Sequence, residues 1–296
     1  MKRIIKRQDK EYFVFGENTR HYPNPPKLSD VEIINLAITA ESLQIDSENL
    51  LWSKLETDYP NLFKDLPHRT RFNARRKLLR KIIVNILADI SDILAAHSEF
   101  LIIDSMPIPI CKLAREHTSK ICRDHTIDEV IANKGFSTSI KSYFIDYKFH
   151  LITNESGVYR DLLITPASHH DNSYLKLLNA RDYHLKGMNL IGDRGYLGKD
   201  TQLRLFADLG LKLNIPYRRD QKGYKEYPYK LKIIRKKIET VFSQYCDEFI
   251  IRRNYAKRFN DFEIRLLTKV TAKTVKQYIN FLNNRPINQT KHSLAA

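Results

Sequence analysis

The sequence predicts a mixed α/β fold in which a sheet flanked by helices follows a helical N-terminal region. Before about residue 97, apolar residues recur mainly at helical spacing. From Glu99 onward, short apolar runs of strand length alternate with helical segments, a pattern that produces a mixed sheet covered by helices. We therefore divide the chain into a helical region, residues 1–97, and a mixed-sheet domain, residues 98–296.

Three helices are predicted in the N-terminal region. The first runs from about Ser29 to Leu43, because Ser29 and Glu32 have the spacing of a capping box. The second starts near Ser47 and ends before Pro60, since a residue before proline disfavours helical geometry. Apolar residues at helical spacing from Phe72 to Ile93 predict a third, longer helix. Three such helices can form a unit that resembles a helix-turn-helix.

Strands and helices alternate in the second region. Their order is predicted as β-β-β-α-β-α-β-α, with strands near residues 100–104, 143–152, 158–165, 188–192 and 211–215 and helices near 171–185 and 198–209. The final helix contains Ile234, Ile238, Val241 and Phe242 at helical spacing. The segment from Cys111 to Lys141 lacks simple periodicity and is interpreted as a loop-rich excursion or an ordinary surface insertion.

Charge and composition favour a nucleic-acid partner. Fifty Lys and Arg against 34 Asp and Glu give a net charge of +16, which attracts polyanions. No apolar run approaches the ~18 residues typical of a membrane span, and the N terminus lacks the apolar core of a secretory signal. The three cysteines are too few and too irregular for a disulfide framework or a zinc module. We therefore expect a cytoplasmic protein without membrane association.

A basic run lies at the start of the third predicted helix. Its members that we predict to contact DNA are Arg69, Arg71, Arg75, Arg76 and Arg80. The alternative is a solvated helix face, which is the commoner explanation for a run of charges. A second basic stretch, from Arg218 to Lys237, contains interleaved tyrosines that either stack on unpaired bases or anchor a loop to the core.

Three carboxylates occupy positions that suit a metal site. Asp104 and Asp193 each follow a short apolar run of strand character, whereas Glu239 lies at the edge of the apolar face of a helix. Hard divalent cations such as Mg²⁺ and Mn²⁺ prefer oxygen ligands of this kind. Taken singly, each acid is better explained as a solvated surface group, whereas the three together leave that explanation and a metal site equally open.

Four motifs give the chain a family resemblance. IIDSMPIPICK, SYFIDYKFHLITNESGVYRDLLITPASHHDN, LIGDRGYLGK and RKKIETVFSQ, in this order, resemble the motifs of DDE transposases encoded by bacterial insertion sequences. The resemblance is to the group called insertion sequence nine-eight-two, and it extends from about Pro26 to Pro286. It implies a ribonuclease-H-like sheet and an N-terminal helical DNA-binding domain.

The resemblance assigns roles to individual residues. It implies that Asp104, Asp193 and Glu239 are the catalytic residues and bind the metal ions, Mg²⁺ or Mn²⁺ and two in number. Arg235 fits the Arg-x-x-x-Glu element of the family, and Lys148 and Arg194 are expected to support the site. A related group has a basic residue shortly after the Glu, but the corresponding segment here, residues 244–247, contains none.

The implied function is binding of insertion-sequence ends followed by metal-dependent DNA cleavage and strand transfer. The implied partners are the terminal inverted repeats and the target DNA, with a homodimer on paired ends. A plain ribonuclease-H-like nuclease or resolvase and an inactive DNA-binding copy are the alternatives. His150 is interpreted as a hydrogen-bonded sheet histidine, and Asp171 as a helix cap or a DNA contact.

Overall fold

The computed structural model describes residues 12–63, 65–111, 113–115, 118–123, 131–137, 142–180, 182–221 and 224–294. Lys141, the last residue of the expected excursion, lies outside them. Within the described residues, the elements in chain order are α1 Asp30–Ser42, α2 Glu48–Asp58, α3 Arg69–Leu78, α4 Arg80–Leu94, β1 Phe100–Cys111, β2 Asn133–Ser137, β3 Ser142–Asn154, β4 Tyr159–Pro166, α5 Asn172–Leu177, β5 Asn189–Ile191, α6 Lys199–Leu209, β6 Lys212–Asn214, α7 Tyr229–Asp247 and α8 Phe259–Leu282.

The chain forms two compact units whose boundary differs from the predicted one. The first unit combines Met1–Ile93 with Tyr245–Ala296, and the second contains Leu94–Gln244. The predicted second domain, residues 98–296, therefore includes a C-terminal segment that packs with the N-terminal helices. The physical reason is α8, a buried helix whose charged side chains find their partners in the first unit.

The first two predicted helices are confirmed. Ser29 caps α1 in a complete capping box, since its hydroxyl accepts from the Glu32 amide at 3.2 Å and the Glu32 carboxylate accepts from the Ser29 amide at 2.8 Å. Ser47 caps α2 by accepting a hydrogen bond of 3.1 Å from the Leu50 amide. The third predicted helix is instead two helices, α3 and α4, separated at Leu79. Leu79 is buried, so the apolar pattern continues across the break.

Helices α1 and α8 pack together in the first unit through an ion cluster as well as apolar contacts. Glu41 on α1 is buried and accepts a hydrogen bond from the ammonium group of Lys269 on α8. The Lys269 Nζ also donates to the Phe249 carbonyl at 2.6 Å, and Arg265 Nε lies 3.6 Å from the Glu41 carboxylate. Buried charges of this kind are tolerated only where each has a partner.

A mixed sheet forms the second unit, as predicted. Within the described residues its strand order is β2-β3-β1-β5-β6, with β4 also paired to β3. Strands β1, β3 and β4 are antiparallel, whereas β5 and β6 run parallel to β1. The five predicted strands are all present, although β1 is longer than expected. The expected excursion contains a further strand, β2.

Helices cover both faces of this sheet. On one face, Leu101 and Ile103 of β1 pack in a cluster with Leu175 of α5 and Leu205 of α6. On the other face, Ile102 and Ile191 pack against Ile234 and Ile238 of α7. Successive residues of a strand point to opposite faces, so Asp104 shares the α7 face with Ile102. No helix within the described ranges is long and apolar enough to cross a membrane.

Candidate active site

Asp104 and Asp193 extend from neighbouring parallel strands. The register pairs Ile102 of β1 with Ile191 of β5, and each aspartate comes two residues after its member of this pair. Asp104 lies within β1, and its Oδ1 accepts a hydrogen bond of 2.8 Å from the Ser105 amide. Asp193 caps a short 3-10 turn, Arg194–Tyr196, by accepting from the Gly195 amide at 2.8 Å. The structure thus places two of the three predicted ligands side by side.

Gly192 allows this close approach of strand and turn. A Cβ at residue 192 would lie 2.9 Å from Ile103 Cγ2, 3.0 Å from Ile215 Cδ1 and 3.2 Å from Tyr196 Cδ2. Distances this short require the neighbouring side chains to move. The absence of a side chain therefore lets the residue before Asp193 pack tightly onto the apolar cluster beneath the site.

The electrostatics of Asp104 reflect burial and neighbouring carboxylates. The pKa of Asp104 is raised to about 7, chiefly by burial and also by the charges of Asp193 and Asp171, while the Ser105 amide and Arg235 oppose the shift. The Asp104 carboxyl is thus held among like charges with limited access to solvent. A cation bound there would relieve this repulsion.

Asp171 is a further carboxylate of the site, and sequence reasoning gave it a different role. It is the residue before α5, but its side chain makes no capping hydrogen bond, so the expectation of a helix cap is wrong. Its Oδ1 instead accepts from the Ser105 hydroxyl at 2.9 Å and from Lys148 Nζ at 3.1 Å. Lys148 also donates to the His169 carbonyl at 2.8 Å. Asp171 therefore holds Lys148 beside the residue that follows Asp104.

Glu239 lies on α7 and extends toward solvent. The helix packs on the sheet through Ile238, the preceding residue, so Glu239 stands at the edge of that contact. Its carboxylate lies 3.8 Å from Arg235 Nη2, one turn earlier, and 62% of its side chain is exposed. Arg235 is close enough to Asp104 to lower that group's pKa, so its charge acts on two of the predicted ligands.

The carboxylate oxygens of Asp104, Asp193 and Glu239 are the type of ligand that a hard divalent cation prefers. Asp104 and Asp193 offer neighbouring carboxylate oxygens, and Glu239 is within reach of the same arginine. Among the described side chains, however, no three from His, Cys, Asp and Glu converge on one point. The third ligand would therefore have to turn away from Arg235 toward the sheet. His150 is buried and its Nε2 is 2.8 Å from the Thr165 hydroxyl, as expected for a hydrogen-bonded sheet histidine.

A cavity of about 560 Å³ opens beside Asp193. It is lined by basic and aromatic side chains, with two carboxylates: Asp193, Arg194, Pro216, Tyr217, Arg219, Tyr224, Glu226, Tyr227, Lys232, Arg235 and Lys236. Tyr227 anchors the segment, since its hydroxyl donates to the Asn214 carbonyl at 3.0 Å and its ring packs on the Ile102 cluster. Tyr217 and Tyr224 are 38% and 43% exposed. Tyr227 thus anchors the segment to the core, whereas the rings of Tyr217 and Tyr224 remain partly exposed.

The five arginines predicted to contact DNA divide into two groups. Arg75 and Arg76 were expected to be exposed, and this is wrong. Arg75 donates to Asp30 and to the Leu28 carbonyl, and Arg76 is 4% exposed with Nη2 2.9 Å from the Glu48 carboxylate. Arg69 and Arg71 are exposed, as is Arg80, which pairs with Glu263 at 2.7 Å. The spacing of the basic residues could not predict that Arg75 forms an ion pair with Asp30 of α1 and Arg76 with Glu48 of α2.

The part of the chain that contains these residues matches the model of a known protein family. The model described as "Transposase DDE domain" matches residues 94–252, more than half of the chain. The chain belongs to the DDE transposase family, whose members are polynucleotidyl-transfer enzymes that generally use divalent metal ions. The matched residues include Asp104, Asp193 and Glu239. The match identifies the family and does not distinguish the group called insertion sequence nine-eight-two within it.

No curated protein sequence matches the chain. Two solved structures align with 88% of this chain over 81% of their own length. One is a Mos1 transposase paired-end complex with left transposon end, with 13% sequence identity and a TM-score of 0.25. The other is a pre-cleavage Mos1 transpososome, with 12% sequence identity and a TM-score of 0.22. Likenesses of this size do not establish a shared fold.

Proposed function

We propose that this protein is an insertion-sequence transposase that binds the element's ends, cleaves them and joins them to target DNA. The observation that carries the proposal is the placement of Asp104 and Asp193 at adjacent parallel strands inside the matched DDE domain. The ribonuclease-H-like assignment of the sheet and the kinship to insertion sequence nine-eight-two belong to the same proposal. The order of antiparallel and parallel strands and the sequence motifs support them.

Asp104, Asp193 and Glu239 are the residues that would hold one or two Mg²⁺ or Mn²⁺ ions. Such ions activate the attacking oxygen and stabilise the leaving oxygen when a phosphodiester is displaced. Around this group, Arg194 is exposed and adjacent to Asp193, so it can contact a phosphate. The charge of Arg235 acts on both Asp104 and Glu239. Asp171 acts as a positioning residue, because it holds Lys148 and Ser105 in place.

Binding of DNA ends is assigned to exposed basic residues outside the ion pairs of the first unit. Arg69 and Arg71 of α3 remain candidates for phosphate contacts, whereas Arg75 and Arg76 do not. The net charge of +16 supports a polyanionic partner. Assembly as a homodimer on paired ends is part of the proposal, since joining two ends to one target requires two active sites near each other.

A strand-transfer assay tests this function. The intact chain would be incubated with Mg²⁺ or Mn²⁺, a labelled fragment carrying the terminal repeat of the proposed element, and an unlabelled target plasmid. We expect covalently joined products in which the 3′ end of the fragment is linked to the plasmid. Asp104→Asn, Asp193→Asn and Glu239→Gln should each bind the fragment but lower cleavage and joining more than about 100-fold, because each removes a ligand carboxylate.

Asp208→Asn provides a matched control. Arg204 and Asp208 form an Arg–acid pair one helical turn apart on α6, with 3.4 Å between the groups, like the pair of Arg235 and Glu239 on α7. Asp208 lies outside the site, so this variant should join ends at the wild-type rate. Cleavage without any joining by the wild type would favour a plain nuclease. Normal joining by Glu239→Gln would show that Glu239 is not a ligand.

A further inference from the structure

We propose that the cavity beside Asp193 holds one unpaired nucleotide of the DNA substrate, with its base against Tyr217 or Tyr224 and its phosphate among the surrounding basic side chains. The inference rests on the proposed function, because it specifies the state of the DNA that this site acts on. It identifies the substrate as DNA that has been opened locally beside the cleavage position, in place of a fully paired duplex.

The charge of the cavity suits a phosphate. Five basic side chains line it against two carboxylates, Asp193 and Glu226. Among the residues that the structure describes, Arg194, Arg219, Lys232 and Lys236 have no ion-pair partner, and all four are exposed. This differs from the first unit, where Arg75, Arg76 and Arg80 are neutralised by acids. Unpaired cations beside a candidate catalytic carboxylate are available to a ligand anion.

The aromatic side chains suit a base. Tyr217 and Tyr224 line the cavity while 38% and 43% exposed, so each ring has a face or an edge open to a ligand. Local hydrogen bonds involve the residues next to both rings: the Arg218 amide donates to Gln221 Oε1 at 2.8 Å, and the Tyr224 amide donates to the Gln221 carbonyl at 3.0 Å. Tyr227 is hydrogen-bonded to the Asn214 carbonyl.

Size and stacking together favour an unpaired nucleotide. A volume of about 560 Å³ lies within the range of cavities for small ligands and can take a group the size of one nucleotide. In duplex DNA both faces of a base are covered by its neighbours, whereas an unpaired base can stack on an aromatic ring. Cations without aromatic rings would bind either form of DNA equally, so the tyrosines carry the distinction.

The test compares the binding of two DNAs without metal. One is a blunt duplex containing the terminal repeat, and the other has the same sequence with a few unpaired nucleotides at the 3′ end. Fluorescence anisotropy should show tighter binding of the second DNA by wild type. The double variant Tyr217→Ala and Tyr224→Ala should lose this preference, by about 5- to 100-fold in Kd for the unpaired form, while its affinity for the blunt duplex stays unchanged.

Two matched variants define the role of the rings. Tyr217→Phe with Tyr224→Phe should keep the preference, because stacking needs the ring and not the hydroxyl group. Tyr229→Ala should also keep it, since Tyr229 belongs to the same stretch and is 76% exposed but does not line the cavity. Lys232→Ala with Lys236→Ala should weaken binding of both DNAs to the same degree, as expected for phosphate contacts.

The outcomes separate this inference from the proposed function. If wild type binds both DNAs equally, or if the double alanine variant keeps the preference, the nucleotide site is wrong even when strand transfer is observed. If the preference follows the two rings but no DNA is cut or joined, the nucleotide site stands and the proposed function fails. Thermal melting of each variant would show that the fold is retained.

Discussion

At the scale of single residues, the sheet contains a buried acid that the proposed chemistry does not use. Asp146 on β3 is 3% exposed, and its Oδ1 has no hydrogen-bond partner among the described residues. Burial raises the pKa of Asp146 to about 7, opposed by the charge of Lys148. The protonated form is thus favoured in the folded state, and ionising this group is unfavourable there.

The pH dependence of stability follows from the direction of this shift. Because the pKa of Asp146 rises from 3.8 to about 7 on folding, its penalty is absent below the unfolded value and grows as pH rises toward the folded value. Asp146→Asn lacks this penalty, so it should be more stable than wild type by about 2–4 kcal/mol above the folded pKa. The difference should fade near the unfolded value.

Denaturant unfolding of metal-free wild type and variant across this pH range measures the effect. Asp208→Asn is the control, because Asp208 is an exposed acid whose replacement should leave a small and constant difference. A difference between Asp146→Asn and wild type that does not change with pH would show that Asp146 ionises normally in the folded protein.

At the scale of elements, the helices carrying the basic run combine structural and exposed arginines. Arg76 is buried on α3, pairs with Glu48 of α2 and lies over the Phe72 ring at 5.6 Å. Arg76→Ala would leave Glu48 without this partner and should lower the free energy of unfolding by about 2–4 kcal/mol. Arg69→Ala with Arg71→Ala should change it by less than about 1 kcal/mol, because both side chains are exposed.

DNA binding should show the opposite pattern. The Arg69 and Arg71 double variant should weaken binding and reduce the slope of log K against log salt by up to about two, one unit for each phosphate contact. Chemical denaturation and salt-dependent anisotropy, measured on the same samples, separate the two effects. A stable Arg76→Ala protein with weakened DNA binding would reverse our assignment of these arginines.

Sequence patterns were most informative where local geometry determines the element. The capping box at Ser29 and the proline at residue 60 fixed the bounds of α1 and α2 closely. Strand β1 was predicted too short, because Pro107 and Pro109 are residues that disfavour a strand interior although both pair with β3 here. Helix α8 was not assigned at all, since buried lysines and threonines interrupt its apolar periodicity.

The candidate site could be predicted only in part, because some of its contacts join segments that are distant in sequence. Asp104 and Asp193 follow apolar strands, so their positions at neighbouring strands could be anticipated from order and spacing. The role of Asp171 could not, because its contacts with Ser105 and Lys148 join segments that are distant in sequence. The burial of Arg76 likewise depends on Glu48, an acid that belongs to another helix.

At the scale of the whole molecule, the first unit depends on both ends of the chain. A chain ending at Gln244 would lack α8, so Glu41 of α1 would lose Lys269 and Arg265. We expect amides of α1 to lose hydrogen-exchange protection by more than about tenfold, whereas amides of β1 and β3 keep theirs. A chain ending at Ser293, which retains α8, should show normal protection in both regions.

Hydrogen exchange followed by mass spectrometry measures this directly. Retained protection of α1 in the shorter chain would indicate that the N-terminal helices form a stable unit alone, as the predicted division at residue 97 supposed. Lost protection in β1 and β3 would instead indicate that the sheet needs the C-terminal segment, although it belongs to a separate compact unit.

The apolar packing around Gly192 helps to set the distance between the carboxylates of Asp104 and Asp193. Ile103, Ile215 and Tyr196 leave no room for a side chain at this residue, and Asp193 is the next residue along the chain. An alanine there would require the turn or these apolar side chains to shift, which would disturb the position of Asp193 relative to Asp104 with no charge altered. Inactivating substitutions should therefore also arise among uncharged residues that never touch the substrate, and an inventory of polar side chains alone would overlook them.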